Sequence, residues 1–150
     1  MPGFHGKYDY SVDAKGRVNI PAKFRKVLAP EAAETFIICQ APDRCLRAFP
    51  QDYWKTYVAE LNSRPETSDT VGYKRKLYHA VSESTLDAQG RITLMPNQMA
   101  IAGITKPVTM IGQENYIEIW DPVRYAAYLE KDTDFDTAFY QSVQAGLLKK

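Results

Sequence analysis

The chain has 150 residues, 45% of them apolar and 25% charged, with a formal net charge of +1. That is enough chain to bury a core without disulfide or metal support, and its charge balance argues neither for nor against a polyanionic partner. No apolar run approaches the roughly 20 residues of a membrane-spanning helix, the first residues lack the apolar core of a secretory signal, and Cys39 and Cys45 match no zinc or redox spacing.

A cytoplasmic protein with reduced, strand-packed cysteines and no membrane partner is the expectation. Charge is unevenly spread along it. Before residue 30 stand Lys7, Lys15, Arg17, Lys23, Arg25 and Lys26 against Asp9 and Asp13, a basic stripe able to meet phosphates. Tyr8, Tyr10 and Val12 alternate with Asp9 and Ser11, predicting a half-buried strand. Asp13-Ala14-Lys15-Gly16 puts an acid first and a glycine last, as a type I turn with a left-handed glycine requires. Arg17 to Ile20 is expected to return as the partner strand of that hairpin. Pro21 suits the first turn of a helix with an apolar face of Phe24, Val27 and Leu28, ended by Pro30.

TFIICQAPDRCLRAFP then reads as strand, turn and strand, with a helix over Asp52–Leu61. SRPETSDT is a polar linker. Beyond it Val71, Leu77, Tyr78 and Val81 could share a helical stripe, leaving Lys74, Arg75 and Lys76 solvated. From Leu86 the first motif returns: Asp87, Gly90 and Arg91 align with Asp13, Gly16 and Arg17, and Ile92 and Leu94 with Val18 and Ile20. With Met95 as an insertion, Pro96 falls on Pro21, and Gly103 is placed to cap the following helix. VTMIGQENYIEIWDP repeats the strand–turn–strand pattern, a helix follows over Pro122–Lys131, and after a polar break a short helix runs through Ala138, Phe139 and Val143.

The chain is therefore read as a duplication: a first repeat at 1–62, a linker and basic helix at 63–80, a second repeat at 81–131, and a helical tail at 132–150. An isolated two-stranded hairpin is marginal in water, because one face has nothing to pack on. Two copies can interlock, which predicts an α+β fold in which the repeats form a small pseudo-symmetric β-barrel with flanking helices.

Asp13 and Asp87 fit as turn caps and Gly16 and Gly90 as turn glycines, rather than as a carboxylate pair or a phosphate loop. Arg17 and Arg91 are different, since a turn needs no arginine; the residues alone leave a DNA contact and an ion pair with an aspartate of the neighbouring hairpin equally open. Lys23, Arg25 and Lys26 read as a solvated helix face or as phosphate contacts. His5 and His79 lie in no metal or catalytic pattern, so no enzyme, metal, cofactor or small-molecule substrate is expected.

Phe4-x-Gly6, Asp13-Ala-Lys-Gly-Arg17, Ile20-Pro21, Asp87-Ala-Gln-Gly-Arg91, Phe49-Pro50 and Trp120-Asp-Pro122 together resemble the MraZ family, within the AbrB-like class of interleaved-hairpin DNA-binding proteins. The resemblance spans nearly the whole chain. It implies two tandem AbrB-like units and a sequence-specific transcriptional regulator of the division and cell-wall gene cluster. Such a protein would bind direct repeats of double-stranded DNA in its own promoter as a ring-shaped homo-oligomer at the nucleoid, and repress it. It also implies Lys15, Arg17 and Arg91 as the DNA-contacting residues, with arginine suited to guanine edges and lysine to phosphates. Gln89 stands where the first copy has Lys15, and Asn97, Gln98 and Met99 stand against Lys23, Phe24 and Arg25, so the first copy is expected to grip DNA more strongly. An AbrB-like antitoxin whose segment Thr133 to Lys150 wraps a partner, or an interaction scaffold, is the alternative.

Overall fold

The computed structural model describes residues 3–132 and 134–144; of the expected tail, Thr133 and residues 145–150 lie outside the described residues. Strand β1 (Lys7–Ser11) buries Tyr8 and Tyr10 in part and exposes the residues between them. After the Asp13–Gly16 turn come β2 (Arg17–Asn19) and the short helix α1 (Ala22–Lys26). Strands β3 (Thr35–Ala41) and β4 (Cys45–Pro50) are almost wholly buried, which is why they read as apolar runs without alternation. Asp43 and Arg44 turn the chain between them at φ 66° and 58°. Helix α2 (Gln51–Asn62) follows directly, and α3 (Ser68–His79) starts inside the supposed linker, where Thr67 and Thr70 cap it reciprocally.

The second half runs β5 (Ser82–Thr85), β6 (Arg91–Thr93), α4 (Pro96–Ala102), β7 (Pro107–Gly112), β8 (Ile117–Trp120) and α5 (Pro122–Lys131). Gly103 ends α4 in the left-handed conformation at φ 66°, and Asp121 caps α5 by accepting from the Arg124 N–H at 3.0 Å. A last short helix, α6 (Phe135–Phe139), continues as one π-helical turn, Tyr140–Gln144.

Six antiparallel strands form one sheet in the order β1-β7-β8-β4-β3-β5, while β2 and β6 pair only with each other. Exchanging the two halves turns this order into itself read backwards. The approximate two-fold axis passes between β4 and β8, where Arg47 faces Glu118, and through the ribbon where Val18 faces Ile92.

Two expectations are corrected here. The hairpins do not pair with themselves: β1 joins β7 of the other half, and β5 joins β3. Nor does the sheet close into a barrel, because β1 and β5 remain its edges and no ladder links them to β2 or β6. The turn explains both. Only one main-chain bond crosses it beyond the turn itself, from Asp13 N–H to Arg17 C=O at 2.9 Å, and the Arg17 N–H is taken by the Asp13 side chain. Strand β2 is thereby released from β1 and lies across the sheet against β6.

Main-chain bonds at both ends lock that ribbon: Ile20 N–H donates to Gly90 C=O at 2.9 Å, and Leu94 N–H to Gly16 C=O at 2.8 Å. Beneath it Val18, Ile20, Ile92 and Leu94 pack with Phe4, Phe24, Ile38, Val108 and Ile119 into one core drawn from both halves. Burying each such side chain is worth about 1.5–3 kcal/mol, and this cluster exists only where the two halves meet. Of the helical face expected in α1, Phe24 is buried, whereas Val27 lies past the helix end and is 40% exposed. Phe49 gathers Tyr53, Trp54, Tyr57 and Tyr116 in a second cluster, and Trp120 packs with Tyr125 and Tyr128 in a third.

Candidate nucleic-acid interface

The two Asp-Ala-x-Gly-Arg turns are built alike. Asp13 Oδ1 accepts from the N–H groups of Lys15 and Arg17 at 2.9 and 2.8 Å; Asp87 Oδ1 accepts from Gln89 and Arg91, both at 2.9 Å. Glycine closes each turn because the chain there adopts φ +81° at Gly16 and +76° at Gly90. The second oxygen of each carboxylate receives the Nε–H of the arginine beyond the glycine, at 2.7 Å for Arg17 and 2.8 Å for Arg91. Hydrogen bonds to the ionised form, led by the Arg17 and Arg91 N–H groups, hold both carboxyls below their ordinary value of 3.8.

The ribbon brings the two turns side by side. Arg91 Nη1 lies 3.8 Å from Asp13 Oδ2, the oxygen already bound to Arg17. The arginines thus pair first with their own turn's aspartate, and only Arg91 reaches the neighbour's. Neither is buried: the side chains are 35% and 23% exposed. Tied through Nε, each guanidinium is fixed in orientation, and the terminal nitrogens of Arg17 have no hydrogen-bond partner among the described residues. A guanidinium held in this way can offer two parallel donors to a planar acceptor pair.

Lys15 is exposed at the tip of the first turn, and Gln89 occupies the same position in the second. Lys23 is exposed on α1. Arg25 is exposed but anchored: its Nε–H donates to Ile20 C=O at 3.1 Å, and its guanidinium lies over Gly90, where an added Cβ would come within 2.7 Å. Arg25 therefore braces the second turn from the first half.

Gln98, which the sequence reading counts with the less basic surface of the second copy, belongs to the interior. It is fully buried on α4, donates from Nε2 to Ile38 C=O, Ala80 C=O and Ser82 Oγ, and accepts from Met95 N–H. It joins α4 to β3 and to the start of β5, setting the frame beneath the second turn. Burial pushes the thiols of Cys39 and Cys45 up to about 12, outweighing the nearby Arg47 charge, so both are inert neutral groups at physiological pH. Among the described residues no cluster of His, Cys, Asp and Glu could hold a metal ion, and no helix is long and apolar enough to cross a membrane.

Two copies of one strand–turn–strand–helix unit, swapped into a shared sheet and each bearing an aspartate-tethered arginine, define a tandem-repeat α+β protein. The family model described as "MraZ protein, putative antitoxin-like" matches residues 4–75 and again 77–144. The chain belongs to the MraZ family of transcriptional regulators, which are not enzymes. Among its relatives, the transcriptional regulator MraZ of Acetivibrio thermocellus is 39% identical over 126 residues, covering 83% of this chain and 85% of that protein. The regulators of the same name from Herpetosiphon aurantiacus and Clostridium tetani are 36% and 31% identical, covering 95% and 96% of this chain and 97% and 99% of their own.

Proposed function

We propose that this regulator binds double-stranded DNA sequence-specifically through its two turns, with Arg17 and Arg91 reading base edges and Lys15 anchoring phosphate. One observation carries this reading: both arginines are tied through Nε to an aspartate of the same turn, a device that orients a guanidinium without burying it. Guanine offers O6 and N7 as paired acceptors in the major groove, and an arginine so oriented meets them bidentately. Lys23 and Arg25 serve as flanking phosphate contacts, Arg25 only through its terminal nitrogens. The target is a set of direct repeats in the promoter of its own gene, within a division and cell-wall gene cluster, and the outcome is repression at the nucleoid.

A single pair of turns covers too few bases to select one site in a genome, so binding depends on several copies acting together. The proposal is a ring-shaped homo-oligomer. Val123, Leu129, Phe135 and Tyr140, exposed by 77%, 53%, 81% and 60%, supply apolar surface for contact with another protein chain. The same surface favours, as the second reading, an antitoxin-like or scaffold role in which a different protein covers it.

Footprinting of the DNA upstream of the gene, with the parent and with Arg17→Ala and Arg91→Ala, separates these readings. Protection at evenly spaced repeats by the parent and its loss in the variants is the expected result. No protection by the parent, on DNA that covers the whole upstream region, would overturn the proposal.

A further inference from the structure

The approximate two-fold axis equates residues that sequence alignment leaves unconnected. Val12 N–H, just before the first turn, donates to Lys106 C=O at 2.7 Å; Leu86 N–H, just before the second, donates to Glu34 C=O at 2.8 Å. Lys106 and Glu34 therefore occupy the same place in the two halves, each brought by the opposite half to the base of the turn. Each lines a surface cleft with that turn: Lys106 with Val12, Asp13 and Ala14, and Glu34 with Leu86, Asp87 and Ala88. Both side chains are exposed, and neither forms an ion pair among the described residues. Pro107 disfavours helical backbone at Lys106, which limits where its side chain can start.

The charges at these places are opposite. Around the first turn stand Lys15, Arg17 and Lys106 against Asp13. Around the second stand Arg91 and Arg25 against Asp87 and Glu34, with Arg25 Nε already bound to Ile20 C=O.

Resting on the DNA-binding reading above, we infer that Lys106 is a further phosphate contact of the first turn, and that Glu34 is its repulsive counterpart at the second. The pair gives the interface a direction. The first turn faces the more closely held phosphates, and the second reads its base edge with weaker backbone attachment. A symmetric pair of turns would fit a site in either orientation, whereas a polarised pair distinguishes the two ends of each repeat.

The test measures binding to the upstream DNA and to mixed-sequence duplex across a salt series for the parent, Lys106→Ala, Glu34→Gln, Glu34→Lys and Arg17→Ala. Removing one phosphate contact lowers the slope of log K against log salt by roughly 0.9 per engaged subunit. Lys106→Ala is expected to show that decrease and a several-fold loss on both DNAs; Glu34→Gln should bind both more tightly, and Glu34→Lys more tightly still with a steeper slope. If Lys106→Ala and Glu34→Lys leave affinity and slope unchanged while Arg17→Ala loses specific binding, the inference is wrong and the reading of the turns stands. If Arg17→Ala also binds as the parent does, the reading itself fails.

Discussion

Asp13 in the first turn and Arg91 in the second meet across the approximate two-fold axis, with Oδ2 3.8 Å from Nη1, and the same oxygen holds Arg17 Nε at 2.7 Å. Among the described residues, Asp87 pairs with no arginine other than that of its own turn. One carboxylate thus touches both guanidinium groups, although the duplicated motif makes the two aspartates look equivalent.

Asp13→Asn should accordingly cost more DNA affinity than Asp87→Asn. Asparagine keeps an Oδ1 for the turn's N–H groups and loses the negative Oδ2, so the folds survive and the arginines loosen. Titration of operator duplex, with melting curves as a control, checks the order. Equal losses from the two variants would mean that the Asp13–Arg91 contact does not matter.

Acid should act through the same two groups. Both carboxyls sit below 3.8 in the fold, so they remain ionised where the unfolded chain begins to protonate. The stability they contribute is full above the unfolded value and is lost as pH falls through 3.8 towards the lower folded values. Chemical denaturation at pH 3 and pH 5 should therefore show less difference for an Asp13→Asn Asp87→Asn variant than for the parent. An unchanged difference would assign the acid sensitivity to other carboxylates.

The turn glycines should not respond alike. A Cβ at Gly16 would lie 2.5 Å from the Leu94 carbonyl oxygen, a backbone atom held by the ribbon, whereas at Gly90 it meets the movable guanidinium of Arg25. Both substitutions force alanine into a left-handed conformation, costing about 1–2 kcal/mol. Gly16→Ala adds a clash that only a shift of the ribbon relieves, so it should melt lower than Gly90→Ala by several degrees in a thermal scan.

Gln98→Leu should destabilise the protein by about 1–3 kcal/mol, since it strands the Ile38 and Ala80 carbonyls in the core. Urea unfolding measures this, and a neutral result would mean that those carbonyls find other donors.

Much of this architecture can be read from the residues. The repeat is visible in Asp13-Ala-x-Gly-Arg17 and its copy, and the Tyr8–Tyr10–Val12 alternation identifies a strand and its buried face. Partner choice is not visible, because a period of two tells which side of a strand is apolar and nothing about the strand beside it. The swap of β1 onto β7 therefore reads, from sequence, as a local hairpin. Gln98 looks like a surface residue on an amphipathic helix until the fold surrounds it with β3 and β5. Lys106 and Glu34 acquire meaning only through the two-fold axis, which places residues distant in the chain beside the turns.

The central claim, that the tethered arginines read DNA, is tested most directly by the affinity of an Arg17→Ala Arg91→Ala variant for the operator duplex at fixed salt, with sedimentation velocity on the same samples. Each bidentate base contact is worth about 1–3 kcal/mol, so the double variant should lose about thirtyfold or more in specific affinity while its assembly state stays that of the parent. Parental affinity and salt dependence in a variant that sediments normally would contradict the account.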